Sequence, residues 1–171
     1  MSTARVRKGG RVDPATLPRG PNGRALCRFC QTVECAPPRK TFCSNACVIE
    51  HKVRTRPAFA KMMVFRRDAG VCAICHTDTK ELARELWEEG LRFGRTHQQR
   101  LLGLHGIPRN RKVYCRKYGG NLWDLEHTLP VWKGGGEAGL NALATMCVPC
   151  HREKTKREAA ERAAIRRVST L

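Results

Sequence analysis

The sequence predicts a small α+β protein stapled by zinc. It comprises an N-terminal four-cysteine finger, a helical insert, and a C-terminal module of two strands and a helix. Three observations lead there. Ten cysteines occur in 171 residues, eight of them in three Cys-x-x-Cys pairs and one Cys-x-x-x-Cys pair. The apolar stretch 123–132 carries Glu126 and His127 side by side and runs into Gly134-Gly135-Gly136. The next cysteine pair, Cys147 and Cys150, is followed at once by His151 and a basic, Ala-rich segment suited to a helix.

A chain of this length has room for one modest domain or two small ones, whose thin cores call for covalent or metal staples. No apolar run is long enough to span a bilayer, and Met1 to Gly23 is polar and basic, without a signal peptide's apolar centre. The expected location is therefore cytoplasmic, where thiols stay reduced and paired cysteines favour zinc over disulfides. The net charge of +18 and the pI near 10.2 make a polyanion the natural partner, through release of its counterions. DNA is the expected partner, with no membrane and no small-molecule substrate.

Taken in order, residues 1–24 place Arg5, Arg7, Lys8, Arg11 and Arg19 among Gly and Pro without a hydrophobic period, and read as a flexible basic arm. Residues 25–56 form the finger. Cys27, Cys30, Cys43 and Cys47 have the spacing of a closed tetrahedral zinc site, and Val48, Ile49 and Val53 form one face of a helix behind them. Cys35 is left over as a small buried thiol, and His51 as a surface helix residue. Residues 57–70 read as a helix with Phe59, Met62, Met63 and Phe65 as its apolar contacts and Gly70 as its stop.

After Cys72 and Cys75 comes a helical insert at about 78–108. Asp78 and Thr79 supply its N-cap, Leu82, Leu86, Trp87 and Leu91 follow helical spacing, and a second helix covers Gln98 to Leu104. His97 and His105 have no partner at ligand spacing. Arg109, Arg111, Lys112, Arg116 and Lys117 then surround Tyr114 and Cys115 in a basic loop expected to contact phosphates. Trp123, Leu125, Leu129 and Val131 are expected to pack the strand that follows.

Glu126 and His127 are the chemical centre. A carboxylate is a hard oxygen ligand for Mg2+ or Mn2+, and an imidazole beside such an ion, but not on it, can take a proton from water near neutral pH. Phosphodiester hydrolysis needs both functions. Neighbours on a strand point to opposite faces, so a shared centre calls for a bend or bulge nearby.

Glu126-His127, the turn from Gly134 to Leu143, and the closing Cys147-x-x-Cys150-His151 knuckle together resemble the HNH endonuclease family, a ββα-metal fold around one divalent cation. The finger resembles one that precedes this motif in a subgroup of bacterial HNH proteins, so the likeness runs from about Leu26 to Thr155. The Arg66-Arg67-Asp68-x-Gly70-x-Cys72 run commonly precedes that family's first knuckle. Cys72, Cys75, Cys147 and Cys150 are accordingly assigned to a second structural zinc.

Carried over, the resemblance implies His127 as general base and Glu126 as metal ligand. His151 becomes a metal or phosphate ligand, Asn141 a further candidate, and Lys154 and Lys156 would face the DNA backbone. It implies a bacterial or phage-encoded protein, and an HNH domain over 57–158 with a helical extension over 159–171. Two positions depart from the pattern. Glu126 stands where Asp is commoner, and Asn141 lies one residue early, with Ala142 at the usual asparagine position.

The expected function is metal-dependent endonuclease cleavage of DNA, cutting one strand per centre and hence nicking, with two structural Zn2+ and one catalytic Mg2+ or Mn2+. The competing reading is a non-catalytic zinc protein that binds nucleic acid on a degenerate HNH scaffold.

Overall fold

The computed structural model describes residues 6–7, 11–114, 120–137 and 139–168. They fall into two compact units, Met1–Arg56 and Pro57–Leu171.

In the first unit, β1 (Val6–Arg7) pairs antiparallel with β2 (Arg11–Val12), and a short 3-10 turn, Pro14–Thr16, follows the Asp13 cap. Val12, Leu17 and Ala25 form a small buried cluster, and Arg19 bridges to Ala25. Residues 12–24 are therefore folded against the finger rather than forming a free arm, because two apolar side chains in a polar stretch suffice to anchor it. Arg5 and Lys8 lie outside the described residues.

The Arg28 amide donates to the Thr41 carbonyl (2.8 Å), joining the two knuckles. Ser44 then caps α1 (Asn45–Thr55) by accepting from the Cys47 amide. Cys35 is buried. His51 is half-buried edge-on to Phe42, and burial pushes its pKa down, with Arg28 and Arg56 adding to the effect.

The second unit begins with α2 (Pro57–Asp68), which Gly70 ends in the left-handed region at φ 83°. Asp78 caps α3 (Thr79–Phe93) through the Lys80 and Glu81 amides, and Gly94 separates it from α4 (Arg95–Leu104). These helices form a hairpin. Their buried residues Ala83, Leu86 and Leu102 join Ile107, Val113, Leu122 and Val148 in the main core, so the insert packs against the segments before and after the C-terminal strand pair.

β3 (Trp123–His127) and β4 (Leu143–Cys147) pair antiparallel, and α5 (Val148–Val168) follows directly. This helix is continuous through residues 158 and 159, with no break where an extension was expected to begin. Between the strands, Gly134 adopts φ 94°, and a Cβ on Gly135 would fall 1.9 Å from the Leu129 carbonyl oxygen. Only glycine fits that reversal. Leu129 and Val131, expected to pack, are 47% and 60% exposed, because β3 ends at His127 and both residues lie beyond the paired strands.

Trp123 is fully buried, stacked on Phe65 of α2 (6.0 Å) with the Lys61 ammonium 4.5 Å from its ring centre. Arg67 and Asp68 tie the same helix to β4. Arg67 donates to the Leu140 carbonyl (2.8 Å), and Asp68 accepts the Thr145 amide (3.0 Å). No helix among the described residues is long and apolar enough to cross a membrane.

Candidate active site and metal centres

The eight paired cysteines gather into two groups, Cys27, Cys30, Cys43 and Cys47, and Cys72, Cys75, Cys147 and Cys150, with ligand atoms in each within 4.8 Å of one another. Sulfur separations of 3.9 Å (Cys30–Cys43), 3.4 Å (Cys43–Cys47) and 3.5 Å (Cys75–Cys147) match the edge of about 3.8 Å that four ligands at ~2.3 Å make around a tetrahedral ion. Both groups could hold zinc.

Their electrostatics agree. Hydrogen bonding from Thr32 draws the Cys30 thiol down to about 6, while its hydrogen bond to Cys47 and then burial push Cys43 up to about 12. In the second group burial opposes ionisation of Cys75, Cys147 and Cys150. Hydrogen bonds from Thr77 nonetheless draw Cys75 down to about 6, whereas burial pushes Cys150 up to about 11 and raises Cys147 as well. Four sulfurs this close cannot all ionise unaided, and a divalent cation removes the conflict.

Alternation along β3 sends Asp124 and Glu126 to the face that meets α5. There His151, in the first turn of the helix, lies between them, with Nε2 2.9 Å from Glu126 Oε2 and Nδ1 3.5 Å from Asp124 Oδ2. The 2.9 Å separation is close to the ~3.0 Å between neighbouring oxygen or nitrogen ligands of an octahedral ion at about 2.1 Å. Glu126 and His151, an ion pair in this structure, could also serve as two ligands of a small divalent cation. Arg111 stands 3.8 Å from Asp124 and donates to the Asn121 carbonyl (3.0 Å).

His127 occupies the last position of β3, opposite Leu143. The pairing from Trp123↔Cys147 to His127↔Leu143 is one-to-one, so the strand has no bulge, and alternation assigns His127 to the face opposite Glu126. Asn141 is exposed in the short turn Leu140–Ala142 before β4.

Lys154 differs from expectation. It is 9% exposed and, rather than being presented to a phosphate backbone, donates to Glu126 Oε1 (2.8 Å) and pairs with Glu158 one turn on. Burial opposes its charge, but the two carboxylates outweigh it and hold its pKa above the ordinary lysine value. Two carboxylates within reach of one helix position turn the side chain inward. Lys156, Arg109 and Lys112 are exposed, and Arg111 is half-buried. Arg116, Lys117 and Cys115 lie outside the described residues.

Sequence reasoning passed over Asp124, although its place two residues before Glu126 assigns it to the same face. It also missed the tie made by Arg67 and Asp68, because a turn and a strand 73 and 77 residues away supply the partners.

No family model matches the chain. Among curated proteins it is 31% identical over 160 residues to the DNA annealing helicase and endonuclease ZRANB3 of Mus musculus, covering 86% of this chain and 15% of the relative. The Homo sapiens protein of the same name is 31% identical over 162 residues, covering 86% and 14%. The chain thus spans about one seventh of these relatives' length. They are mammalian, and lend no support to a bacterial or phage origin. The crystal structure of the human ZRANB3 HNH domain superposes with a TM-score of 0.51 at 30% identity, covering 64% of this chain and 95% of that one. With nearly the whole of that domain matched, the chain belongs to the HNH endonuclease family, in its ββα-metal form with four-cysteine sites.

Proposed function

We propose that this protein is a metal-dependent endonuclease that hydrolyses DNA phosphodiester bonds, with structural zinc in both four-cysteine groups and one Mg2+ or Mn2+ at Glu126 and His151. The observation that carries the reading is the 2.9 Å approach of Glu126 to His151 across β3 and α5, in a chain whose mammalian relatives are named as endonucleases.

When bound, the divalent cation supplies stabilisation of the charge that develops on the phosphate and the leaving oxygen. The remaining roles belong to the chain. His127, the last residue of β3, takes the proton from the attacking water. Lys154 holds one oxygen of Glu126 so that the other faces His151. Asp124 holds the opposite nitrogen of His151, fixing the ring's orientation, and Arg111 holds Asp124. Lys156, Arg109 and Lys112 meet the DNA backbone, and Asn141, exposed in the turn before β4, is a further candidate ligand of the cation. By family resemblance the products are a 3′-hydroxyl and a 5′-phosphate, and one centre nicks one strand.

Supercoiled-plasmid cleavage tests this, comparing wild type and His127→Ala with Mg2+, with Mn2+ and with neither. Metal-dependent nicking should fall by about 10²–10⁴ in the variant, with zinc content and DNA binding unchanged. Equal nicking by both proteins would remove His127 from the mechanism. A second reading, a DNA-binding protein without catalysis, draws on Ala142 at the family's asparagine position and on the Lys154 ammonium already bound to Glu126. It requires that wild type bind DNA and leave it uncut under every metal.

A further inference from the structure

The helical insert carries apolar surface that the core does not use. Ala83 and Leu86 of α3 are buried, yet Trp87 is 40% exposed and Leu91 71% exposed. Both line a groove of about 290 Å3 between the helical hairpin and the segment that leads to β3. Arg95, Arg111 and Lys112 also line it, and among the described residues no carboxylate does.

The groove has a defined wall. Gln98 Nε2 crosses the hairpin to the Leu86 carbonyl (2.8 Å), and Gly90 leaves it room, since a Cβ there would lie 2.4 Å from that nitrogen. It is also continuous with the catalytic face. Arg111 stands 3.8 Å from Asp124, which in turn stands 3.5 Å from His151.

An exposed indole flanked by an aliphatic side chain and three cations matches an unstacked nucleotide, whose base offers a flat π face and whose neighbouring phosphates carry the charge. A base inside a duplex has both faces covered by its neighbours. Among ligands that join apolar surface to negative charge, the DNA-nuclease reading favours a nucleic acid over an acidic peptide.

We propose that this groove binds an unpaired nucleobase against Trp87, with the adjoining phosphates on Arg95 and Lys112, so that the DNA reaching the Glu126–His151 centre is single-stranded on the insert's side of the cut. The proposal rests on the DNA-nuclease reading above and adds to it a preference for strands that leave a duplex.

The test uses the full chain, zinc-loaded and without added Mg2+ or Mn2+, and measures fluorescence anisotropy with a blunt duplex and with the same duplex bearing a single-stranded tail. Wild type should prefer the tailed DNA. Trp87→Ala should lose about tenfold in affinity for it and leave the blunt duplex unchanged, while Trp87→Phe retains most of the preference. Lys112→Ala provides a second variant that does not disturb the helix, and should weaken the tailed DNA more than the blunt one.

Equal losses on both DNAs, or none on either, would overturn the groove assignment while the nuclease reading stood. Failure of wild type to bind any DNA would overturn both. Displacement of the tail by a free deoxynucleoside monophosphate at micromolar concentration would overturn the strand as occupant in favour of a mononucleotide.

Discussion

The two four-cysteine groups have the same ligands and different reach. Cys27, Cys30, Cys43 and Cys47 lie within one short stretch, so a metal there closes a local loop and stabilises its own unit. Cys72 and Cys75 precede the helical insert, whereas Cys147 and Cys150 flank the junction of β4 and α5. A metal in the second group therefore joins chain segments about 70 residues apart and fixes the first turn of the helix that carries His151. Loop closure and site geometry are coupled in one group and separate in the other.

The largest effect should come from breaking the second group. Cys72→Ser should lower the zinc content by one ion per chain and abolish DNA cleavage. Cys30→Ser should remove one zinc as well but leave most cleavage intact, because its ligands lie outside the catalytic module. Metal analysis with plasmid nicking checks both, and equal loss of cleavage in the two variants would mean that the finger also shapes the centre.

A smaller effect is expected inside the centre, where the Lys154 ammonium holds one oxygen of Glu126. Lys154→Met leaves the half-buried Glu126 and Glu158 without their shared cation, and should cost about 2–3 kcal/mol of stability. Thermal denaturation of the zinc-loaded chain measures it. A change under about 1 kcal/mol would show that the pair relaxes into solvent.

The smallest effect concerns the tie that supplements the second zinc. Asp68→Ala removes the acceptor of the Thr145 amide and the partner of Arg67, for an expected loss of about 1–3 kcal/mol. Burial alone would raise the Asp68 pKa, but the Arg67 guanidinium and the Thr145 amide outweigh it and hold it below the usual carboxylate value. A depressed folded-state pKa gives stability that is present above the unfolded value and lost as pH falls through the folded one. The difference between wild type and Asp68→Ala should therefore be constant at neutral pH and shrink in acid, below about 4. Paired denaturant titrations across that range check the sign.

Much of the frame was legible before folding was considered. Cysteine spacing marks both ligand sets, since thiolate pairs two or three residues apart can reach one ion only from a tight turn or a helix start. Asp78 marks the start of α3 because its carboxylate satisfies amides that the helix leaves free, and this is a local property. The Glu126–His127 pair and the glycine reversal were legible for the same reason.

Lys154 shows where such reading stops. A lysine in a basic helix faces water by default, and only the arrival of β3 places Glu126 within its reach. The exposure of Trp87, Leu129 and Val131 was equally hidden, because helical spacing or strand alternation identifies a face but not what covers it. Residues 12–24 read as an arm because two apolar side chains make no period, yet packing needs only a partner.

The sequence by itself determined the ligand sets, the element order and the chemical types at the centre, since each depends on residues close together in the chain. Only the tertiary structure decided that Asp124 shares the centre with Glu126 and His151, that Lys154 turns inward, and that Trp87 borders an open groove. Those outcomes depend on which surfaces meet, and burial or pairing energies between distant segments settle them.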